Sequence, residues 1–462
     1  MIPLHSLPDR PYAVLGLGRS GRTAALALLA SGRTVWAWDD SDSARAAAAA
    51  EGIPIHDLAT CDLARAEALV LSPGIPHTFP APHPIAVRAR TVEVPIVGDV
   101  DLLFRAQPQA TYVGITGTNG KSTTTAMIGH LLQAAGADVR VGGNLGPPAL
   151  GFEPMTTKSV CVLEMSSYQL ELTPHLAFNV AVLLNISPDH LGRHGGMEGY
   201  IAAKRRIFDA PPAGATAIVG VDDAACRRIC TELSQQEGRR VLVVSGQRRV
   251  GGGAYAADGL LHDAINFDGR AMIDLGEARA LPGAHNGQNA AAAYAAAHAL
   301  GIDQDVALRA ILDFPGLPHR QERIAVVGGV AYVNDSKATN GDAAVRALTS
   351  YRGIHWIAGG RPKEDGLAAT LPHLDRVRHA YLIGEAEAAF AAELQGRVSF
   401  SRCGTLERAF AAARAGAEAD VAAAAGIAPV VLLSPACASF DQFRDFEARG
   451  DAFRRLVGEI VR

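Results

Sequence analysis

Cysteine is scarce in this chain: six in 462 residues, with no C-x-x-C pair, and Cys226 and Cys230 the closest two. So sparse and scattered a set argues against a disulfide framework and fits free thiols in a reducing cytosol. Net charge is scarce as well. At −4 the chain lacks the basic excess that broad nucleic-acid binding needs, and no block of like charge is long enough to form a tail. Long apolar runs are missing. "AALALLA" (24–30) falls far short of the ~20 residues that span a bilayer. The N-terminal "MIPLHSLPDRPYAVLGLG" has no basic n-region followed by a long apolar stretch, so no signal peptide is expected. No short internal repeat is visible. Apolar residues, by contrast, make up 48% of the chain, ample for several cores. At ~150 residues per domain the length allows about three.

Three stretches follow from the pattern, each alternating short apolar strands with helical runs: 1–107, 108–315 and 316–462. In the first, "YAVLGLG", "TVWAWDD" and "ALVLSPG" read as strands. In the second, "TYVGITG", "SVCVLEMSS", "VAVLLNISPDH" and "TAIVG" do, and in the third "GVAYVND", "IHWIAGG", "HAYLIG" and "PVVLLSPA". Proline-containing links, "FRAQPQAT" (104–111) and "DFPGLPHRQE" (313–322), separate them. Strand–helix alternation predicts three α/β domains with mainly parallel sheets. The alanine-rich runs 44–50, 290–298 and 421–425 are good helix formers and are expected on surface helices.

The segment "VGITGTNGKSTTT" (113–125) departs from the usual phosphate-loop pattern, G-x-x-x-x-G-K-[ST], because Ile115 stands where the first glycine belongs. Its other glycines sit instead at Gly114 and Gly117. Yet "YVGIT" is a strand and "KSTTTAMIGHLLQAAG" an apolar-periodic helix, so the loop offers backbone N–H groups at a helix start, where phosphate is favoured. Lys121 can reach the β/γ-phosphates, and Ser122 or Thr123 can reach Mg²⁺. Two later strands add metal or phosphate chemistry: one ends on Glu164, a carboxylate in the crevice at a parallel strand's carboxyl end, and another runs into a loop with Asp189 and His190. Upstream, "GLGRSG" (16–21) is a G-x-G-x-x-G after a strand, with Asp39 near the end of the next. This admits a nicotinamide-dependent dehydrogenase, a reading that leaves the phosphate loop, Glu164 and His190 without a role. Helix capping is an alternative reading of Asp39 and Asp40.

The block G-x-T-G-T-N-G-K-S-T (114–123) resembles the ATP loop of the Mur ligase family and the related folylpolyglutamate synthetases. The resemblance runs the length of the chain through "LEMSSYQLE", "NISPDHLGRH", "YIAAKRR", "PGAHNGQN", "PHRQE", "NDSKATN", "GGRPKEDG" and "SPACASFDQFRDFEARG". It implies a Rossmann-like N-terminal domain for a UDP-muramoyl substrate, a central ATPase domain and a Rossmann-like C-terminal domain for the amino acid. The activity implied is ATP-dependent ligation of UDP-N-acetylmuramoyl-L-alanine to D-glutamate in the cytoplasm, through an acyl phosphate and with two Mg²⁺ ions. A folylpolyglutamate synthetase-like ligase is the nearer alternative.

The roles it implies are these. Gly117, Thr118, Asn119, Gly120, Lys121, Ser122, Thr123, Asn286, Asn289, Arg320 and Asp335 bind ATP. Ser122, Glu164, His190 and Lys204 hold metal, Lys204 as a carbamate, whereas its own setting in "KRR" reads as an ordinary surface lysine. Gly18, Ser20, Asp39, Asp40, Ser72, Gly74, Asn144 and His190 meet the UDP substrate. Thr339, Lys363, Ser439 and Phe446 meet the amino acid. The chain departs from the family at Gly192, where an Asp is usual.

Overall fold

The computed structural model describes every residue except Arg279, Ala284, Lys363, Glu364, Asp365, Ala424, Ala425 and Arg462. Lys363 therefore lies outside the described residues. Contacts divide the chain into two compact units, residues 1–277 with 285–313, and residues 278–284 with 314–462.

The first unit holds two sheets. A four-stranded parallel sheet is ordered Val35–Trp38, Tyr12–Leu15, Ala68–Leu71, Ile96–Val97. The strands Tyr12–Leu15 and Ala68–Leu71 are buried throughout, as continuous apolar runs covered on both faces must be. A nine-stranded sheet has Thr111–Thr116 third from one edge, between Val180–Leu183 and Ser159–Glu164. Ile115 pairs with Glu164, so the phosphate loop and that carboxylate leave the sheet at the same end. Seven of its strands are parallel; Leu260–Asp263 and Arg270–Asp274 extend it antiparallel. These two outer strands, with the parallel strands Asp138–Gly143, Arg240–Ser245 and Gly253–Ala257, were not expected from sequence. "GAYAA", "LLHD" and "RAMID" are short and carry small or charged residues, which blunts the apolar signal.

The helix His285–Ala299 corrects one expectation. Its alanine run is not a surface face: Ala290, Ala291, Ala292, Ala293, Ala295 and Ala296 are all fully buried. Alanine's small side chain lets this helix lie close against the helix Lys121–Ala134 and the adjoining strands. The stretch 104–111 is likewise packed rather than loose. Phe104 ends up 4.5 Å from Tyr112 and 5.2 Å from Phe178, ring centre to ring centre, tying the helix Asp99–Ala106 to the phosphate-loop strand.

Asp99, in the first turn of that helix, is 3% exposed, and among the described residues neither carboxylate oxygen completes a hydrogen bond. Burial pushes its carboxyl up to about 6, against weaker opposing pulls from the helix-start amides, the Ala149 amide and the Ser20 hydroxyl. A carboxyl raised above its unfolded value of about 3.9 binds more protons in the folded state, so its contribution to stability is lost as pH rises through about 4 to 6. Asp99→Asn is expected to remove that component, worth roughly 3 kcal/mol. Urea unfolding of both proteins between pH 4 and 7 reads it as a wild-type slope that the variant lacks.

The second unit carries a six-stranded sheet in the order Glu322–Val327, Val330–Asn334, Val430–Leu433, Ile354–Gly359, Val377–Ile383, Phe400–Gly404. Only the first pair is antiparallel. Among the described residues no helix is long and apolar enough to cross a membrane.

Candidate functional site

The phosphate loop turns on two glycines, Gly117 at φ 150° and Gly120 at φ 84°. At Gly120 an added Cβ would lie 2.2 Å from Asn289 Oδ1, so neither the angle nor the space admits a side chain. Gly114 has a different job. It sits inside the strand, where a Cβ would strike the Phe178 ring at 2.6 Å. Asn289 Oδ1 accepts from the Thr124 hydroxyl, and Asn289 Nδ2 donates to Asn286 Oδ1 at 2.9 Å, so the two asparagines share one face at the helix start beside the loop.

Two lysines converge on one carbonyl. Lys121 Nζ donates to Gly117 O and Thr118 O, both at 2.9 Å, and Lys204 Nζ donates to the same Gly117 O at 2.8 Å. Lys204 is 2% exposed and lies over the Tyr200 ring at 4.7 Å. Burial first, then the Lys121 charge, holds its ammonium pKa well below the usual lysine range, with Asp189 and Glu164 opposing. The surface-lysine reading of "KRR" thus fails. On the helix Met197–Arg205, Tyr200, Ile201, Ala203 and Lys204 are buried, whereas Arg205 is only half-buried. The i, i+4 spacing of Tyr200 and Lys204 was the signal available in the sequence.

Glu164 is buried. Its Oε1 accepts from Asn144 Nδ2 at 2.7 Å, while among the described residues its Oε2 has no hydrogen-bond partner. His190 adopts φ 51° at the start of the short helix Leu191–His194, half-exposed, with Nε2 3.5 Å from Asp189. Burial lowers its pKa, with Asp189 opposing and Lys121 and Lys204 adding to the shift. Gly192 is exposed, with open space where a side chain would go. Thr118 faces inward, its hydroxyl 3.1 Å from both Ser187 O and Tyr200 OH.

In the four-stranded domain Gly16 makes the turn at φ 92°, and Gly21 allows close approach of Gly16 O, which a Cβ would meet at 1.8 Å. Gly18 caps the helix Arg19–Ala30 and has open space around it. Ser72 braces the turn through Gly16 O at 2.8 Å, and Gly74 lies exposed beyond it. Asp39 spends both oxygens on the backbone: Oδ2 accepts from Leu17 N at 2.7 Å and Oδ1 from Ser41 N at 2.9 Å. In a dinucleotide fold this acid is the ribose ligand; here it holds the turn and the next helix's cap together. Asp40 is exposed and pairs with His83 at 3.0 Å.

A family model described as the Mur ligase middle domain matches residues 115–297. The UDP-N-acetylmuramoylalanine–D-glutamate ligase of Rhodospirillum rubrum is 52% identical over 466 residues, covering 100% of this chain and 97% of its own length. The like-named protein of Caulobacter sp. is 51% identical over 466 residues, covering 100% and 98%. The chain belongs to the Mur ligase family. Solved Mur ligases share its fold: the UDP-N-acetylmuramate-alanine ligase of Thermotoga maritima has TM-score 0.56 at 17% identity, covering 97% of this chain and 99% of its own. MurF of Acinetobacter baumannii has TM-score 0.54 at 20% identity, covering 78% of each.

In the second unit of this Mur ligase, Arg320 stands between two residues forced to positive φ, His319 at 61° and Gln321 at 45°. Such strain is held only where its surroundings demand it. Asp335 accepts from Ser434 Oγ at 2.8 Å and Gln321 N at 3.1 Å, and burial pushes its carboxyl up to about 7. Lys337 Nζ lies 4.9 Å from the Phe446 ring centre, and Thr339 follows on the same loop. Arg449, 1% exposed and unremarked from sequence, stitches this loop to the one bearing Ser439: it donates to Ser336 O at 2.9 Å, Cys437 O at 3.0 Å and Ser336 Oγ at 3.0 Å. A guanidinium held by neutral oxygens leaves no trace in the spacing of charges.

Proposed function

We propose that this chain is an ADP-forming ligase that joins D-glutamate to UDP-N-acetylmuramoyl-L-alanine, a cytoplasmic step of peptidoglycan precursor synthesis. The observation that carries the reading is the pairing of Lys121 with a buried Lys204 on one phosphate-loop carbonyl, beside the unpartnered oxygen of Glu164. Full-length similarity of about half to relatives named for this reaction supports it.

A carboxylate is a poor electrophile, so the alanyl carboxylate oxygen first takes the γ-phosphoryl group and ADP leaves. The amine of D-glutamate then attacks the acyl carbon, phosphate departs, the amine proton is lost and an amide remains. Lys121 and the first-turn amides of its helix balance the moving phosphoryl charge. Gly117, Thr118, Asn119, Gly120, Ser122, Thr123, Asn286, Asn289, Arg320 and Asp335 are the further proposed ATP residues. Gly18, Ser20, Asp39, Asp40, Ser72, Gly74, Asn144 and His190 are assigned to the UDP substrate, and Thr339, Lys363, Ser439 and Phe446 to the amino acid. For Asp39 and Asn144 the bonds already made point to a bracing role.

Mg²⁺ fits the donors present, since Glu164 Oε2 is a buried oxygen in want of a partner. Glu164, Ser122, His190 and a carbamate on Lys204 would hold it, and bound Mg²⁺ supplies charge neutralisation on the phosphates. Among the described residues no three His, Cys, Asp or Glu side chains converge on one point.

Phosphate release from ATP with UDP-N-acetylmuramoyl-L-alanine and a panel of amines tests the reading. D-Glutamate is expected to be strongly preferred over L-glutamate and D-aspartate, and the UDP compound, not NAD(H), to raise the unfolding temperature. Faster release with L-glutamate would move the substrate assignment, and an NAD(H) shift without a UDP shift would favour the dehydrogenase.

A further inference from the structure

Two of the phosphate loop's N–H groups are bonded within the protein. Thr118 N donates to Asn185 O at 2.8 Å and Asn119 N to Asn185 Oδ1 at 2.9 Å. The Asn119 peptide is gripped from its other side too, because Asn185 Nδ2 donates to Asn119 O at 3.2 Å. The same Nδ2 donates to Gln288 Oε1 at 2.9 Å, and Gln288 Nε2 donates to Asp222 Oδ2 at 2.8 Å. Asp222 is itself fixed by Ser245 Oγ at 2.5 Å and Gly246 N at 2.8 Å. The chain of bonds runs from the loop, through the end of the strand Val180–Leu183 and the helix His285–Ala299, to the turn after Thr216–Gly220.

The space around Gln288 is built for it. A Cβ on Gly220 would come within 2.8 Å of Gln288 Nε2, and one on Gly246 within 2.8 Å of its backbone N. Gln288 is 7% exposed, so both ends of its amide must be satisfied by protein.

The sense of the chain is set at both ends, because the Asn119 N–H only donates and its carbonyl only accepts, just as Asp222 only accepts. A carboxylate only accepts hydrogen bonds, whereas Asn and Gln amides can point either way. With Asp222 at the far end, Gln288 must turn its NH₂ toward it and its oxygen toward Asn185. Asn185 must then offer its NH₂ to Gln288 and to Asn119 O, leaving Oδ1 for Asn119 N–H. A flip at any link would set oxygen against oxygen.

We infer that Asp222, Gln288 and Asn185 form a positioning relay that fixes the orientation of the Asn119 peptide and with it the phosphate loop. The inference rests on the ATP use proposed above. None of the three touches the nucleotide in this account. Their effect is to hold the loop so that the N–H groups at the start of the helix Lys121–Ala134 face the phosphates without reorganising.

MgATP affinity, measured directly by calorimetry on the full chain without acceptor, tests the relay. Gln288→Glu sets two carboxylates against each other and is expected to weaken MgATP binding about tenfold or more. Adding Asp222→Asn moves the charge one link along and gives the new carboxylate a donor, at the cost of the bond from Gly246 N to the same atom, so Gln288→Glu/Asp222→Asn should recover part of the loss. UDP-substrate affinity should hold throughout. If Gln288→Glu does not fold, Asn185→Ala in its place should show the same selective loss of MgATP. Variants binding MgATP as wild type does, or a loss that the second substitution leaves untouched, overturn the relay. A wild type that binds MgATP but joins no D-glutamate removes the proposed reaction and leaves the relay standing.

Discussion

Lys204→Ala is expected to lower kcat ~100-fold or more with little change in the affinity for ATP or the UDP substrate. The expectation starts from burial. An ammonium withdrawn from water and set near Lys121 is costly, and that cost holds its pKa well below the ordinary range. A larger fraction of neutral amine at working pH is what carbamate formation from CO₂ requires. The proposed carbamate would turn an unfavourable cation beside Lys121 into an anion that complements it. Alanine removes all of this and leaves a space about the size of the lost side chain, so short-chain carboxylates such as formate or acetate should restore part of the rate. A lysine that only packs over Tyr200 predicts loss of stability and no rescue. Turnover near wild type in Lys204→Ala at ordinary Mg²⁺ would remove the carbamate from the mechanism.

For Glu164→Gln, activity and stability should move in opposite directions. Asn144 Nδ2 can still donate to the remaining oxygen, while the buried Oε2, which has no partner among the described residues, is replaced by a neutral group of the same shape. Folding no longer has to desolvate an unpaired carboxylate oxygen, so stability should hold or rise by about 1–2 kcal/mol. Mg²⁺-dependent turnover should fall by ~10²–10³, the loss typical when a charged group is removed from a transition state it stabilises. Thermal unfolding and steady-state kinetics on one preparation decide it. Full activity with unchanged Mg²⁺ dependence would mean that Glu164 serves only to hold the Asn144 loop.

Much of this was legible along the chain. The buried strands announced themselves as apolar runs, because a parallel strand covered on both faces has no polar side to show. The phosphate loop was visible because strand, glycine turn, lysine and helix must follow one another directly for amides to gather at a helix start. The i, i+3 spacing of Asn286 and Asn289 was enough to put them on one face. Tertiary structure alone decided the rest. It buried Lys204 and the alanine run 290–298, since burial depends on what packs against a face and not on the residues that form it. It gave Asp39 a bond to Leu17 N, because that partner, 22 residues away, is reached only when the two strands pair. It joined Asn119, Asn185, Gln288 and Asp222 across 170 residues. Hydrogen bonds between side chains have no period in sequence, and only folding brings such partners within the roughly 3 Å at which they form.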